Sequence, residues 1–119
     1  MGCSTTTLIR VVPLVVDLRL YEGDDVFLRV VVTDPDTFGP ADLTGYTAQS
    51  QIRAAAGDAE IMAEFTTEII DNFVYLTLTS AQTTGLVGRG VWDVQLVDAD
   101  GVVGTVAGGR VTWVAEVTR

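Results

Sequence analysis

Along Arg89 to Val97, Trp92, Val94 and Leu96 alternate with Asp93 and Gln95, and Val97 is tolerated on the polar row. A period of two marks a strand with one buried face, because successive side chains of a pleated backbone point to opposite sides. Asp98-Ala-Asp-Gly101 follows as a tight reversal, since Gly101 accepts the positive φ that hairpin turns demand. Val102 opens the return strand. A tryptophan on the inward row of a hairpin pins a core, so other strands must pack over Trp92. Trp92, Val94, Leu96 and, on the last strand, Trp113 are the predicted core.

The rest of the chain repeats this grammar. Residues 1–12 read as an N-terminal arm and residues 13–119 as one sandwich domain. Val11 to Leu20 is a β-rich run whose Pro13 suits an edge strand or a strand entry. After the Tyr21–Asp25 turn, Val26, Leu28, Val30 and Val32 form an inward row against Phe27, Arg29, Val31 and Thr33. Asp34 to Gly45, rich in proline, glycine and aspartate, is a loop. Tyr46, Ala48, Ser50 and Ile52 oppose Thr47, Gln49, Gln51 and Arg53 on a half-exposed strand, which turns at Ala54–Asp58. Phe65 to Ile70 is strand by its β-branched content. Asp71-Asn72 turns the chain into a strand with Val74, Leu76 and Leu78 inward. Ser80 to Leu86 predicts a single helical turn capped by Ser80, with Leu86 as a core plug. Gly108-Gly109 predicts a last turn, and Val111, Trp113, Ala115 and Val117 close the domain. About eight short strands at this spacing imply an all-β, antiparallel sandwich.

Composition narrows what such a domain does. A chain of 119 residues, 48% hydrophobic and 19% charged, is long enough to bury a core as one globular unit. The net charge of −9 repels phosphate backbones, so no nucleic-acid partner is expected. Cys3 is the only cysteine, which rules out an internal disulfide. No apolar run reaches the ~20 residues that cross a bilayer, and Leu8–Val16, broken by Arg10 and Pro13, makes a poor signal peptide. Met1-Gly-Cys-Ser-Thr-Thr6 fits an N-myristoylation pattern, but no polybasic segment accompanies it. No membrane partner is expected.

Candidate chemistry is sparse. The chain has no histidine and no lysine, so Ser4, Ser50 and Ser80 lack the base that activates a nucleophile. Most of its carboxylates fall in turns, where aspartate serves local hydrogen bonding. Asp34-Pro-Asp36 and Asp98-Ala-Asp100 each place two carboxylates as a calcium site does, yet neither matches the twelve-residue calcium loop. One cysteine without histidine cannot build a zinc cage. No enzyme activity, cofactor or metal is expected. Exposed tryptophans would suggest a sugar-stacking platform, but both tryptophans here alternate in phase with core residues.

Three stretches carry a resemblance. Asp42-Leu-Thr-Gly-Tyr-Thr-Ala48 leads to Gln51-Ile-Arg53, Val74-Tyr-Leu-Thr-Leu-Thr79 leads to Ser80–Leu86, and Gly90-Val-Trp-Asp-Val-Gln-Leu96 follows. From about Tyr21 to Arg119 the chain resembles small immunoglobulin-like β-sandwich modules of tailed-bacteriophage virion proteins. The resemblance implies a non-enzymatic structural role in the virion, as a minor tail, head–tail or capsid-decoration protein made in the host cytoplasm. It implies other virion proteins as partners, and a homo-oligomer. The long loop and the arm are the expected contact segments, with Leu8, Ile9, Val11, Val12, Asp36 and Phe38 as contact residues. A glycan- or cell-surface-binding module of the same fold is the alternative, and it would need a solvent-facing aromatic row.

Overall fold

The computed structural model describes residues 14–34, 36–58 and 60–117. The arm of residues 1–12, with Leu8, Ile9, Val11 and Val12, lies outside the described residues. Among those described, the chain forms β1 (Leu14–Val15), β2 (Leu18–Tyr21), β3 (Val26–Val31), β4 (Thr47–Arg53), β5 (Ile61–Glu64), β6 (Thr66–Ile70), β7 (Phe73–Leu78), α1 (Ser80–Thr83), β8 (Gly88–Val97) and β9 (Val103–Val114). One sheet runs β1–β9–β8–β4–β5, with β2 also on β9, and the other runs β3–β7–β6. Their inner faces close on one core that takes Trp92, Val94 and Leu96 from β8, Val74 and Leu76 from β7, Ile52 from β4 and Trp113 from β9. The protein is an all-β sandwich of nine strands.

Burial follows the period of two along β7 and β8, where every second residue is buried. The Asp98 turn closes as its chemistry demands. Gly101 N donates to Asp98 O, and Asp98 Oδ1 accepts from the backbone N–H groups of Asp100 and Val102, both at 2.9 Å. Asp34–Gly45 is a loop, but Ala41 and Leu43 within it are core residues, each 4% exposed.

β9 departs from the sequence reading. Gly108 and Gly109 are not a turn; both lie inside the strand, paired with Asp93 and Trp92. A Cβ on Gly109 would collide with the Val16 carbonyl oxygen, and one on Gly108 would come 2.8 Å from Trp92 O. These glycines allow close approach between strands. Val94 pairs with Ala107 and Gln95 with Thr105, so Val106 is an extra, bulged residue. A bulge moves the inward phase by one position: Gly104 is buried before it, Val106 at it, and Ala107, Val111 and Trp113 after it. The strand ends at Val114, so Ala115 and Val117, assigned above to the closing strand, are exposed.

The sandwich is not wholly antiparallel. β1 and β2 run parallel to β9 in one register, Leu14 opposite Ala107 and Leu18 opposite Val111. The break between them, Val16–Asp17, falls beside Gly109. There Val16 N donates to Gly108 O at 2.9 Å, Trp92 Nε1 donates to Val16 O at 2.8 Å, and Arg110 N donates to Asp17 Oδ1 at 3.0 Å.

Two further differences are local. The strand predicted over Phe65–Ile70 is β6, but it is preceded by β5 in the other sheet: β5 pairs with β4, β6 pairs with β7, and Phe65 N donates to Ser50 O at the crossing. The helical turn is capped by Thr79 and not by Ser80. Thr79 Oγ1 accepts from Gln82 N while Gln82 Oε1 accepts from Thr79 N, a capping box. Thr83 is its buried residue, with its hydroxyl donated to Asp24 O at 2.7 Å, and Leu86 packs half-buried against the core.

The two tryptophans are buried alike, yet among the described residues Trp113 Nε1 has no acceptor while Trp92 Nε1 has Val16 O. Trp92→Ala should cost about 3–5 kcal/mol. Trp92→Phe should cost about 1–3 kcal/mol more than Trp113→Phe, because only the first strands a carbonyl. Urea denaturation of the three variants measures both, and equal losses for the two phenylalanine variants would remove the Val16 bond from the account. Gly109→Ala should cost about 1–3 kcal/mol by overpacking, read in the same titrations.

Candidate interaction face

The outer side of the β3–β7–β6 sheet is built by the residues that alternate with the core. Pairing sets them in three rows across the strands. Phe27, Thr77 and Thr66 make the first, Arg29, Tyr75 and Glu68 the second, and Val31, Phe73 and Ile70 the third. Phe27 is 76% exposed, and Val31 and Ile70 about half exposed, at 51% and 47%. The Phe73 and Tyr75 rings lie 6.2 Å apart and tilted, and the Arg29 guanidinium sits 4.9 Å from the Phe73 ring centroid. That contact places a cation on the negative face of the ring.

A solvent-facing aromatic row therefore exists. The sequence reading weighed only Trp92 and Trp113 as such a platform and placed both inward, where they are; Phe27 stood on its outward row, and Phe73 and Tyr75 alternate with its inward Val74 and Leu76. The signal that finds it is parity. Each of these three sits one position off a core residue of its own strand, Val26, Val74 and Leu76.

The expected contact residues Asp36 and Phe38 lie in a small hairpin that continues from the third-row end of β3, closed by the Thr33–Pro40 bridge. Asp36 is exposed, and its N–H donates to Asp34 Oδ1 at 2.8 Å. Phe38 is 84% exposed with φ of 61°, a left-handed backbone that a bulky residue rarely adopts. Its ring is held outward by Phe38 N donating to Asp34 O and Gly39 O accepting from Asp34 N.

The other sheet presents a different outer side. A shallow cleft of about 380 Å³ lies over β4 and β8, lined by Gln49, Gln51, Arg53, Asp93 and Gln95. Arg53 Nη2 donates to Gln51 Oε1 at 2.8 Å, Arg53 Nη1 donates to Asp58 O, and Gln51 Nε2 donates to Glu64 Oε2 at 3.1 Å. Burial raises the Asp93 carboxyl above its ordinary range, against the pull of Arg53. Beneath the cleft, Ser50 turns inward and donates its hydroxyl to Asp93 O at 2.7 Å.

The turn carboxylates are engaged locally. Asp34 Oδ1 holds the Asp36 amide, Asp58 Oδ1 the Glu60 amide, and Asp42 Oδ1 both the amide and the hydroxyl of Thr44. The Thr44 hydroxyl, then its amide, lowers the Asp42 pKa. Among the described residues no three of His, Cys, Asp and Glu gather as a metal site. Comparison with protein-family models gives no match, and comparison with curated proteins gives none either.

The shift at Asp93 has a sign that can be checked. With its folded pKa raised above 3.8, the protonated carboxyl favours folding. That contribution is complete below the ordinary Asp range and is lost as pH rises through the raised value. Asp93→Asn lacks it. The variant should therefore gain stability relative to the parent as pH climbs from about 3 to about 6, measured by urea unfolding along that range. A flat difference would place Asp93 in a solvated setting, and a falling one would mean that the pull of Arg53 outweighs burial.

Proposed function

We propose that this chain is a non-enzymatic structural component of a tailed-bacteriophage virion, in a minor-tail, head–tail or capsid-decoration position. It acts through protein–protein contacts in multiple copies. The observation that carries this reading is the apolar outer side of the β3–β7–β6 sheet. A sandwich needs only its inner faces apolar, and an antiparallel sheet facing water ordinarily reads polar on that side. Val31, Phe73 and Ile70 break that rule together in one row across three strands, and Phe27 breaks it two rows away. Contiguous exposed apolar surface of this kind marks an interaction site.

The placement in a virion rests on the resemblance of the Leu43-Thr-Gly-Tyr46 and Gly90-Val-Trp-Asp-Val94 stretches to phage sandwich modules. The chemistry supports a contact role over a catalytic one: the Ser50 hydroxyl is spent on a carbonyl, and the turn carboxylates are spent on backbone amides. The glycan- or cell-surface-binding reading is kept as the second, because exposed rings beside Arg29 are able to stack on a sugar.

Mass spectrometry and labelling of purified particles test the first reading. The chain should be present in multiple copies per particle. A Phe27→Asp/Phe73→Asp variant, with the parent's circular dichroism spectrum, should be lost from particles. Absence of the parent from particles refutes the virion role. Glycan binding by the parent that the same variant loses would favour the second reading.

A further inference from the structure

We propose that the outer side of the β3–β7–β6 sheet is the interface of a weak homodimer. Two copies stack face to face about a two-fold axis that runs parallel to the strands through Tyr75. The inference rests on the contact-module reading above and names the partner as a second copy of this chain.

Charge selects both the partner and the axis. At −9 overall, two copies repel across most of their surfaces. The nine residues of the three rows hold one arginine and one glutamate, so this patch has no net charge. Arg29 and Glu68 flank Tyr75 in the middle row, two strands apart, and neither makes an ion pair among the described residues. A two-fold along the strands lays β6 of one copy over β3 of the other. Arg29 of each copy then meets Glu68 of the other, two reciprocal pairs around the stacked Tyr75 rings. A two-fold running across the strands instead sets Arg29 on Arg29 and Glu68 on Glu68, and like charges facing each other oppose association.

Shape does not choose between the axes: the one along the strands sets Phe73 on Phe73 and Val31 on Ile70 in the third row. In the first row Phe27 of one copy lies over Thr66 of the other, a large side chain against a small one, as interdigitating sheets about 10 Å apart require. Size sets the strength. Three strands by three rows span roughly 14 Å by 20 Å, or about 300 Å². That is well under the ~800 Å² per partner of a stable complex. The dimer is therefore concentration-dependent, and it becomes persistent only where an assembly holds many copies together.

Sedimentation equilibrium of the full chain, from about 10 μM to about 1 mM, tests the proposal. The expected result is a monomer–dimer equilibrium. Arg29→Glu and Glu68→Arg should each weaken it at least about tenfold. The double variant Arg29→Glu/Glu68→Arg should recover to within a few-fold of the parent, because exchange of both charges rebuilds the reciprocal pairs. A parent that stays monomeric at the highest concentration overturns the homodimer, as does a double variant no stronger than the singles.

Should a charge variant fail to fold, dilution of the unsubstituted chain followed by NMR decides instead. Concentration-dependent shifts centred on Phe27, Phe73 and Tyr75 support the interface, and shifts centred elsewhere or absent overturn it. A monomeric chain whose Phe27→Asp/Phe73→Asp variant is still lost from particles overturns the choice of partner and leaves the contact-module reading standing. A monomeric chain whose face residues shift on addition of an oligosaccharide likewise overturns the homodimer.

Discussion

The hydrogen bond from Trp92 Nε1 to Val16 O joins segments 76 residues apart, and three parts of the fold depend on it. Trp92 stands on β8 opposite Gly109 of β9, and the missing side chain at Gly109 leaves room for the Val16 carbonyl. The indole thus reaches over β9 to the entry segment between β1 and β2. Its ring also packs against Phe65, at a centroid distance of 6.4 Å, where the chain leaves one sheet for the other. One side chain ties the parallel entry strands, the long hairpin and the sheet crossing together. The bond matters beyond its own energy, since an unpaired carbonyl beside a buried indole would cost as much as the bond returns.

How far this was legible depends on whether a feature alters the alternation of side chains. In β3, β4, β7 and β8 the inward row is uninterrupted, and it reads directly from the sequence. In β9 the bulge at Val106 puts two buried residues side by side, and Gly108-Gly109 then resembles a turn, so a twelve-residue strand reads as two pieces. At Phe65 the strand that follows was legible, and the change of sheet was not. Burial alternates through Ala63, Phe65, Thr67 and Ile69 without a break while the hydrogen-bonding partner changes from β4 to β7. Period alone reports which side faces inward; it carries no information about which strand lies alongside. Parallel pairing of β1 and β2 was hidden for the same reason.

The outward aromatics were legible by pattern, and only the tryptophans were weighed as an exposed platform. A large aromatic invites a core assignment, and for Trp92 and Trp113 parity and size agree. For Phe27, Phe73 and Tyr75 they disagree, and parity decides, because a pleated strand cannot turn two neighbouring side chains to the same face without a bulge. Phe38 had no such guide. Its exposure follows from the left-handed backbone of a hairpin tip, which composition marks only as loop.

The two sheets solve the same problem in opposite ways. The outer side of β4, β8 and β9 carries Gln49, Gln51, Gln95, Arg110 and Thr112, so the chain has the means to make a strand face polar. On β3–β7–β6 the apolar outward side chains are Phe27 in the first row and Val31, Phe73 and Ile70 in the third; the other sheet exposes Val15, Ile61 and Val103 at its margins. The edges of the three-stranded sheet differ again. Among the described residues β3 and β6 are the outer strands of their sheet, and their central outward positions hold Arg29 and Glu68. Charged side chains on an edge strand oppose the addition of a further strand, which would have to pack its own side chains beside them. The three-stranded sheet is thus discouraged from growing sideways while its middle strand stays apolar and open. In the association we propose, that leaves the face of the sheet, where the charges that guard the edges are the groups able to set the register.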